Sequence, residues 1–166
     1  MIDRKIKNYT FILFLFVFLQ VTFIPQFFSS NYIPNVVLVL LLVISAFNGK
    51  STNIFYIAFA TGFVLDLFSG NCFGPLIISV LFAIFISSYL NYYFLKKIFS
   101  YKFFLISSFA VFVYNVSYIF LINISELSLI FSNLKQFLII IVFQIIYTVI
   151  LIYPLAYIFF VKFSNK

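Results

Sequence analysis

The chain has 166 residues, of which 66% are hydrophobic and 8% are charged, and it carries a net charge of +7. Soluble domains average roughly 45–50% apolar and about 25% charged residues, so this composition indicates an integral membrane protein. The long uncharged stretches are uniformly apolar rather than alternating, which excludes an outer-membrane barrel and favours membrane-spanning helices. The basic residues separate the apolar stretches instead of clustering on one face, so the positive charge does not indicate nucleic-acid binding.

Residues that could carry catalysis or bind a metal are scarce. The chain has one cysteine, Cys72, and no histidine, which leaves no zinc site, no Ser-His-Asp triad and no Cys-His pair. An aspartyl mechanism needs two carboxylates that share a proton, whereas Asp66 is the only carboxylate within an apolar stretch and Glu126 falls in a predicted loop. We therefore expect a protein that is not an enzyme and that uses no cofactor.

Taken in order, the chain shows six apolar stretches that predict six transmembrane helices. A basic segment, 1–8, precedes the first stretch, which lacks a small-x-small cleavage site, so we expect an uncleaved span rather than a signal peptide. Gln20, near the far end of this span, could hydrogen bond within the helix bundle. Pro34 opens the second stretch, as suits the first turn of a helix. The predicted spans are 9–24, 34–47, 54–68, 75–95, 103–122 and 136–161.

The second and third stretches are short for membrane spans. At 1.5 Å per residue, the segment 34–47 gives about 21 Å of helix, less than the roughly 30 Å hydrocarbon core. The two stretches could cross a locally thinned membrane, or they could form a re-entrant hairpin that enters it only partway. Because the hairpin would bury Lys50 at a cost of a few kcal/mol, we favour two full spans.

The distribution of lysine and arginine predicts how the six spans are oriented. If the N-terminus is cytoplasmic, nine of the ten basic residues fall on the cytoplasmic side and only Lys135 falls outside. This bias predicts that both termini are cytoplasmic. Topology alone can account for the basic loop of Lys96, Lys97 and Lys102, although lysines at this depth also interact with anionic lipid headgroups.

The segment 62–75 carries the most specific pattern in the chain, since it holds three of the four glycines and the intramembrane carboxylate of Asp66. A charged side chain at hydrocarbon depth costs about 2.5–3.5 kcal/mol on insertion scales, so we expect Asp66 to face inward, toward a partner. On a helix, Asp66 shares one face with Gly62 and Ala58, and such a small face allows a neighbouring helix to approach closely. The alternative is that Asp66 is an ordinary helix-end carboxylate at the membrane surface.

The sequence alone gives several candidate partners for the Asp66 carboxylate. A negative charge near the end of a helix opposes the helix dipole, so the carboxylate needs a hydrogen-bond donor or a cation. In the six-span topology Lys135 is the opposite charge at the same depth, and an Asp66–Lys135 pair is one hypothesis. The backbone N–H groups of residues 69–71 and the side chains of Asn115 and Gln144 are the other candidate donors.

The order and spacing of these residues resemble the family of the rod shape-determining protein MreD. In that family a Pro-Asp or Pro-Asn pair opens a hydrophobic stretch, as Pro34 and Asn35 do here, and a segment with glycines and an aspartate follows. The likeness covers about residues 30–95 at the level of motifs and the rest only in hydropathy. The chain departs from the family where Ala58 and Ala60 stand in place of a further glycine, which puts the close helix approach in doubt. The matching residues are Pro34, Asn35, Gly49, Gly62, Asp66, Gly70 and Gly74.

The resemblance implies a compact bundle of about six transmembrane helices in the bacterial cytoplasmic (inner) membrane, similar in fold to the substrate-binding components of energy-coupling-factor transporters. It also implies a non-enzymatic scaffold of the cell-wall elongation machinery, which maintains rod shape by binding the bitopic protein MreC. Through MreC, such a scaffold reaches the MreB filament, the glycosyltransferase RodA and a penicillin-binding transpeptidase. The residues expected to shape the partner interface are Pro34, Asn35, Ala58, Gly62, Asp66, Gly70 and Gly74.

The alternative function is that of a substrate-binding component of an energy-coupling-factor vitamin transporter. Midplane polar residues would then line an outward cavity, and the candidates are Asp66, Asn115, Gln144 and Tyr147. The predicted outer loops are short and poor in charged or hydrogen-bonding residues, which leaves little to close over a polar ligand. We therefore favour the scaffold.

Overall fold

The computed structural model describes residues 2–23, 26, 35–48, 52–70, 73–94, 101–123 and 134–164. Within these ranges the chain forms six α-helices and no strand, so the prediction of an all-α protein is confirmed. Each predicted span coincides with one helix, although the first helix begins earlier than expected and includes the basic segment. The helices are α1 (Ile2–Thr22), α2 (Val36–Asn48), α3 (Asn53–Ser69), α4 (Pro75–Phe94), α5 (Tyr101–Ile122) and α6 (Leu134–Ser164).

Three of the described helices are long and apolar enough to cross a membrane, namely Pro75–Phe94, Lys102–Ile122 and Lys135–Tyr157. The apolar parts of the others are shorter, namely Ile12–Thr22, Val36–Phe47 and Asn53–Ser69. This length and composition indicate a membrane protein. Helix length by itself therefore identifies three of the six predicted spans.

Helix α2 lies at the centre of the bundle. No residue from Val37 to Ser45 is more than 1% exposed, so the helix is enclosed on all sides rather than on one face. It contacts each of the other five helices, which explains why its sequence is apolar all round. With 13 residues, α2 is only about 20 Å long, and its first turn must therefore satisfy its polar groups within the protein.

Helix α6 lies at the periphery and is the least buried of the three long helices. It packs on the bundle through one stripe, formed by Ile141, Thr148, Ile152 and Ala156. The helix continues through Pro154. The remaining faces of α4, α5 and α6 expose large apolar side chains, as a surface in contact with lipid requires.

Helices α3 and α4 approach each other most closely at Gly62. A Cβ atom built on Gly62 would lie 2.8 Å from the Cα atom of Ile77 and 3.4 Å from its backbone nitrogen. Ala58 and Asp66 are also buried, so the small face predicted for α3 is a packing face. The close approach occurs even though alanine replaces a further glycine at Ala58, while Ala60 is exposed on another face.

The turn between α3 and α4 contains two glycines with positive φ. Gly70 ends α3 in the left-handed conformation, with φ 68°, and Gly74 has φ 118° immediately before Pro75. Glycine adopts both conformations without steric cost, and proline suits the first position of α4. The turn therefore returns the chain so that the start of α4 lies beside the end of α3.

Replacement of Gly62 by alanine tests the close approach of α3 and α4. The added Cβ would meet the backbone of Ile77, which cannot rotate away as a side chain can, so we expect a loss of about 1–3 kcal/mol of stability. The effect should appear as a lower melting temperature in fluorescence-detected size-exclusion chromatography of the detergent-solubilised protein. The control Ala60→Leu adds a larger side chain on an exposed face of the same helix and should melt as the wild type does. A wild-type melting temperature for Gly62→Ala would contradict the packing described here.

Candidate functional site

The carboxylate of Asp66 lies at the end of α3, where only 3% of the residue is exposed. Its Oδ2 atom accepts hydrogen bonds from the backbone N–H groups of Gly74, at 3.1 Å, and Ile77, at 3.0 Å. Its Oδ1 atom accepts a third from the N–H group of Leu76, at 3.1 Å. Pro75 has no N–H group to offer, so Asp66 takes the available donors at the start of α4. A residue of one helix thus caps the N-terminus of the next.

This arrangement resolves an electrostatic conflict on both helices. A carboxylate at the end of α3 opposes the dipole of that helix, but here it faces the positive end of α4. The first N–H groups of any helix have no partner within the helix, and in a hydrocarbon environment each unsatisfied group costs several kcal/mol. Hydrogen bonds to an ionised acceptor are also stronger than those between neutral groups. Asp66 and the start of α4 therefore stabilise each other.

The donors to Asp66 are backbone N–H groups, which were among the predicted donors, but they belong to other residues than those expected. Backbone N–H groups were expected from residues 69–71, whereas the donors belong to the first turn of α4. Lys135, the cation of the pairing hypothesis, is exposed and is not among these three donors. Asn115 donates instead to the carbonyl of Val111, at 2.8 Å. Asp66 is buried among protein atoms and faces inward, as expected.

The start of α2 is capped in a similar way, but by neutral side chains. The Oδ1 atom of Asn35 accepts a hydrogen bond from the N–H group of Leu38, at 3.0 Å, which is the usual bond of an asparagine N-cap. The Oε1 atom of Gln20, from α1, accepts one from the N–H group of Val37, at 2.9 Å. The motif residue Asn35 and the predicted bundle contact of Gln20 thus both serve the central helix.

Both caps lie at one end of the bundle, which we call the Asp66 end. The last turns of α1 pack beside Val64 and Phe68 of α3, which places Gln20 near Asp66. Tyr114 of α5 is buried at this end of the bundle, near the side chains of Asn35 and Asp66. Sequence reasoning missed Tyr114, and the available signal was a polar aromatic residue next to Asn115 inside an apolar stretch.

The other predicted site residues have varied positions. Lys102 is exposed at the start of α5, and Tyr147 is half-buried on α6. The Oε1 atom of Gln144 is buried and has no hydrogen-bond partner within the described part of the chain. The residues Pro34, Gly49, Lys50, Cys72, Lys96, Lys97 and Glu126 lie outside the described ranges.

The surface of the bundle carries apolar grooves that are separate from the Asp66 cap. One groove of about 480 Å³ runs between α3 and α4 and is lined by Phe55, Ile78, Leu81, Phe82 and Phe85; we call it the α3–α4 groove. Another, between α5 and α6, has a volume of about 240 Å³ and is also lined by apolar side chains alone. Neither groove includes Asp66, so the polar residues of the motif do not line them.

Comparisons of the chain with family models, with curated proteins and with solved structures give no match. Within the described residues, no group of three histidine, cysteine, aspartate or glutamate side chains could hold a metal ion. A functional assignment therefore rests on the geometry of the caps and grooves together with the resemblance in sequence.

Replacement of Asp66 by asparagine tests the cap. The side chain keeps its shape, but one acceptor oxygen becomes an NH₂ group that faces backbone N–H donors, so at least one of the three hydrogen bonds is lost. We expect a loss of about 1–3 kcal/mol, measured as a lower melting temperature in detergent, and a larger loss for Asp66→Leu, which removes all three acceptor contacts.

Lys135→Gln is the matched control for this experiment, because it removes the cation of the alternative hypothesis and leaves the cap intact. We expect it to melt as the wild type does. If Lys135→Gln destabilised the protein as much as Asp66→Asn, an ion pair rather than the helix cap would hold the carboxylate.

Proposed function

We propose that the protein is a non-enzymatic scaffold of the bacterial cell-wall elongation machinery, as the family that its motif resembles would imply. Its direct partner is the bitopic protein MreC, and through MreC it acts with MreB, RodA and a penicillin-binding transpeptidase in maintaining rod shape. The observation that carries the proposal is the cap, because the three hydrogen bonds to Asp66 give this carboxylate a structural task.

The motif residues support a scaffold because two of them set the position of α4 relative to α3 and a third caps the central helix. Gly62 allows α4 to approach α3. Asp66 caps the N-terminus of α4, and Asn35 caps the N-terminus of α2. Helices in lipid associate through packing rather than through a hydrophobic drive, so a rigid surface of defined shape is what a partner helix needs.

The α3–α4 groove is our proposed docking place for the transmembrane helix of MreC. It lies on the two helices that Gly62 and Asp66 hold together, and its walls are the exposed side chains of Phe82 and Phe85 with Phe55, Ile78 and Leu81. A partner helix in this groove would replace lipid contacts with contacts to ordered aromatic rings. The same geometry makes the surface sensitive to any shift between α3 and α4.

The topology that we propose has six spans in the cytoplasmic membrane, with both termini in the cytoplasm. The lysine and arginine bias supports this orientation. Tyr89, Tyr92 and Tyr93 are exposed near the end of α4, and Lys102 is exposed at the start of α5, as expected where aromatic and basic side chains meet lipid headgroups. The Asp66 end then faces the outside of the cell.

The vitamin-carrier alternative has less support from the geometry. A carrier would need Asp66 and Asn115 to be free for ligand, but Asp66 caps α4 and Asn115 is bonded to its own helix. Ligand binding at Asp66 would have to uncap a buried helix start, at a cost of several kcal/mol for each N–H group that is left unsatisfied.

Affinity purification of tagged protein from its own membranes in mild detergent, followed by mass spectrometry, tests the scaffold and its docking surface. We expect the wild type to retain MreC and the double variant Phe82→Ala/Phe85→Ala to lose most of it while it keeps its melting temperature. The control Leu105→Ala/Phe109→Ala removes two equally exposed side chains from α5 and should retain MreC.

Two outcomes would overturn these proposals. Recovery of an ATPase pair with its membrane coupling subunit, instead of MreC, would identify a transporter component. Equal retention of MreC by the groove variant and the control would leave the scaffold standing but would exclude the α3–α4 groove as its docking surface.

A further inference from the structure

The apolar groove between α5 and α6, which we call the α5–α6 groove, lies toward the Asp66 end of the bundle. Helix α5 returns the chain from the far end of α4, so its last turns lie at the Asp66 end, where Tyr114 is near Asp66. The groove has a volume of about 240 Å³, and its walls include Val116, Ile119 and Phe120 of α5 and Phe137, Leu138 and Ile141 of α6. It therefore begins close to the end of α5 and the start of α6.

The groove opens on the side of the bundle that faces lipid. Val116, Phe120 and Leu138 are exposed, and α6 is the least buried of the three long helices. An empty groove would lose the dispersion contacts of its walls, so in a membrane it is filled by an apolar group. The charges around the groove indicate which kind of molecule supplies that group.

Lys135 lies where the groove begins. It belongs to the first turn of α6, three residues before Leu138, so the two side chains are neighbours on the helix surface. Ile141, the lining residue farthest from the start of α6, is six residues from Lys135, or about 9 Å along the helix. Lys135 is exposed, and it is the only charged side chain in the described ranges 112–123 and 134–141. A single cation thus stands at the end of an apolar groove.

The start of α6 adds to the positive potential at Lys135. The N-terminus of a helix carries a partial positive charge, so a lysine there is unfavourable unless an anion lies nearby. No acidic residue occupies the first turn of α6, so this turn supplies no compensating charge. At the neighbouring end of α5, the neutral side chain of Asn123 donates to the carbonyl of Ile119, at 2.9 Å. The position is therefore complementary to an anion.

We propose that an anionic phospholipid binds here, with its phosphate at Lys135 and the start of α6 and one acyl chain in the α5–α6 groove. Such a lipid supplies both the missing anion and the apolar group. A zwitterionic phospholipid would bring its own cation toward the lysine, so it binds less well. The contribution of one lysine near anionic headgroups corresponds to a preference of about fivefold. The site requires only that the chain spans a membrane, and it is independent of the proposed scaffold role.

Photocrosslinking of lipids in detergent micelles tests this proposal. The probes are phosphatidylglycerol and phosphatidylcholine, each with a diazirine on the same acyl chain, and tandem mass spectrometry locates the labelled residues. In the wild type we expect phosphatidylglycerol to label the groove about fivefold more than phosphatidylcholine does. Both lipids should label Ile146 and Ile150 equally, because these exposed residues of α6 are remote from Lys135.

Three variants identify the group that holds the phosphate. Lys135→Gln should abolish the preference for phosphatidylglycerol at the groove, while Lys102→Gln, which removes an exposed cation at the start of α5, should leave it unchanged. Glu126 is the only acidic residue in the segment 124–133 that connects α5 to α6. Glu126→Gln should also leave the preference unchanged, because the lipid and not Glu126 supplies the anion.

Four results would overturn the proposal. Equal labelling of the groove by the two lipids in the wild type would show that it takes any acyl chain. An unchanged preference in Lys135→Gln would place the phosphate elsewhere. A severalfold rise in Glu126→Gln would identify Glu126 as the anion beside Lys135. A groove that neither lipid labels, in a protein that elutes as a dimer, would assign it to a second copy of the chain.

Discussion

The N–H groups at the start of a helix need acceptors, and in an apolar bundle those acceptors must come from the protein. Helix α4 obtains them from the carboxylate of Asp66 on α3. The central helix α2 obtains them from Asn35 and from Gln20 on α1. Both of these helix starts are thus tied to a neighbouring helix at the Asp66 end, α2 to α1 and α4 to α3.

The cap of α4 is a carboxylate, whereas the cap of α2 consists of two neutral amide side chains. The turn before α4 brings that helix directly beside the end of α3, where Gly62 allows contact with the backbone of Ile77. An ionised acceptor can serve three N–H groups at this position because the dipole of α4 stabilises its charge. A carboxylate in this role is not available to a ligand, and for that reason we place function on the outer surface of α3 and α4 rather than at Asp66 itself.

The elements of the fold could be predicted because turn-rich or basic segments separate the apolar stretches, and because the cost of an intramembrane carboxylate predicts that Asp66 is buried. The donors to Asp66 could not be predicted, since they depend on the conformation of the turn around Gly70 and Gly74. The central position of α2 could not be predicted either, because an all-apolar helix can be enclosed by protein or by lipid.

The amide of Gly74 offers the most direct test of the cap. Gly74 is the only glycine that follows a phenylalanine, so protein labelled with ¹⁵N-glycine and ¹³C-carbonyl phenylalanine gives one assigned amide resonance in detergent micelles. We expect this amide to exchange slowly with deuterium and to lie downfield in the wild type, and to exchange faster and shift upfield in Asp66→Leu, which has no acceptor oxygen. An unchanged shift and exchange rate in Asp66→Leu would contradict the account, because the carboxylate would then not be the acceptor for the start of α4.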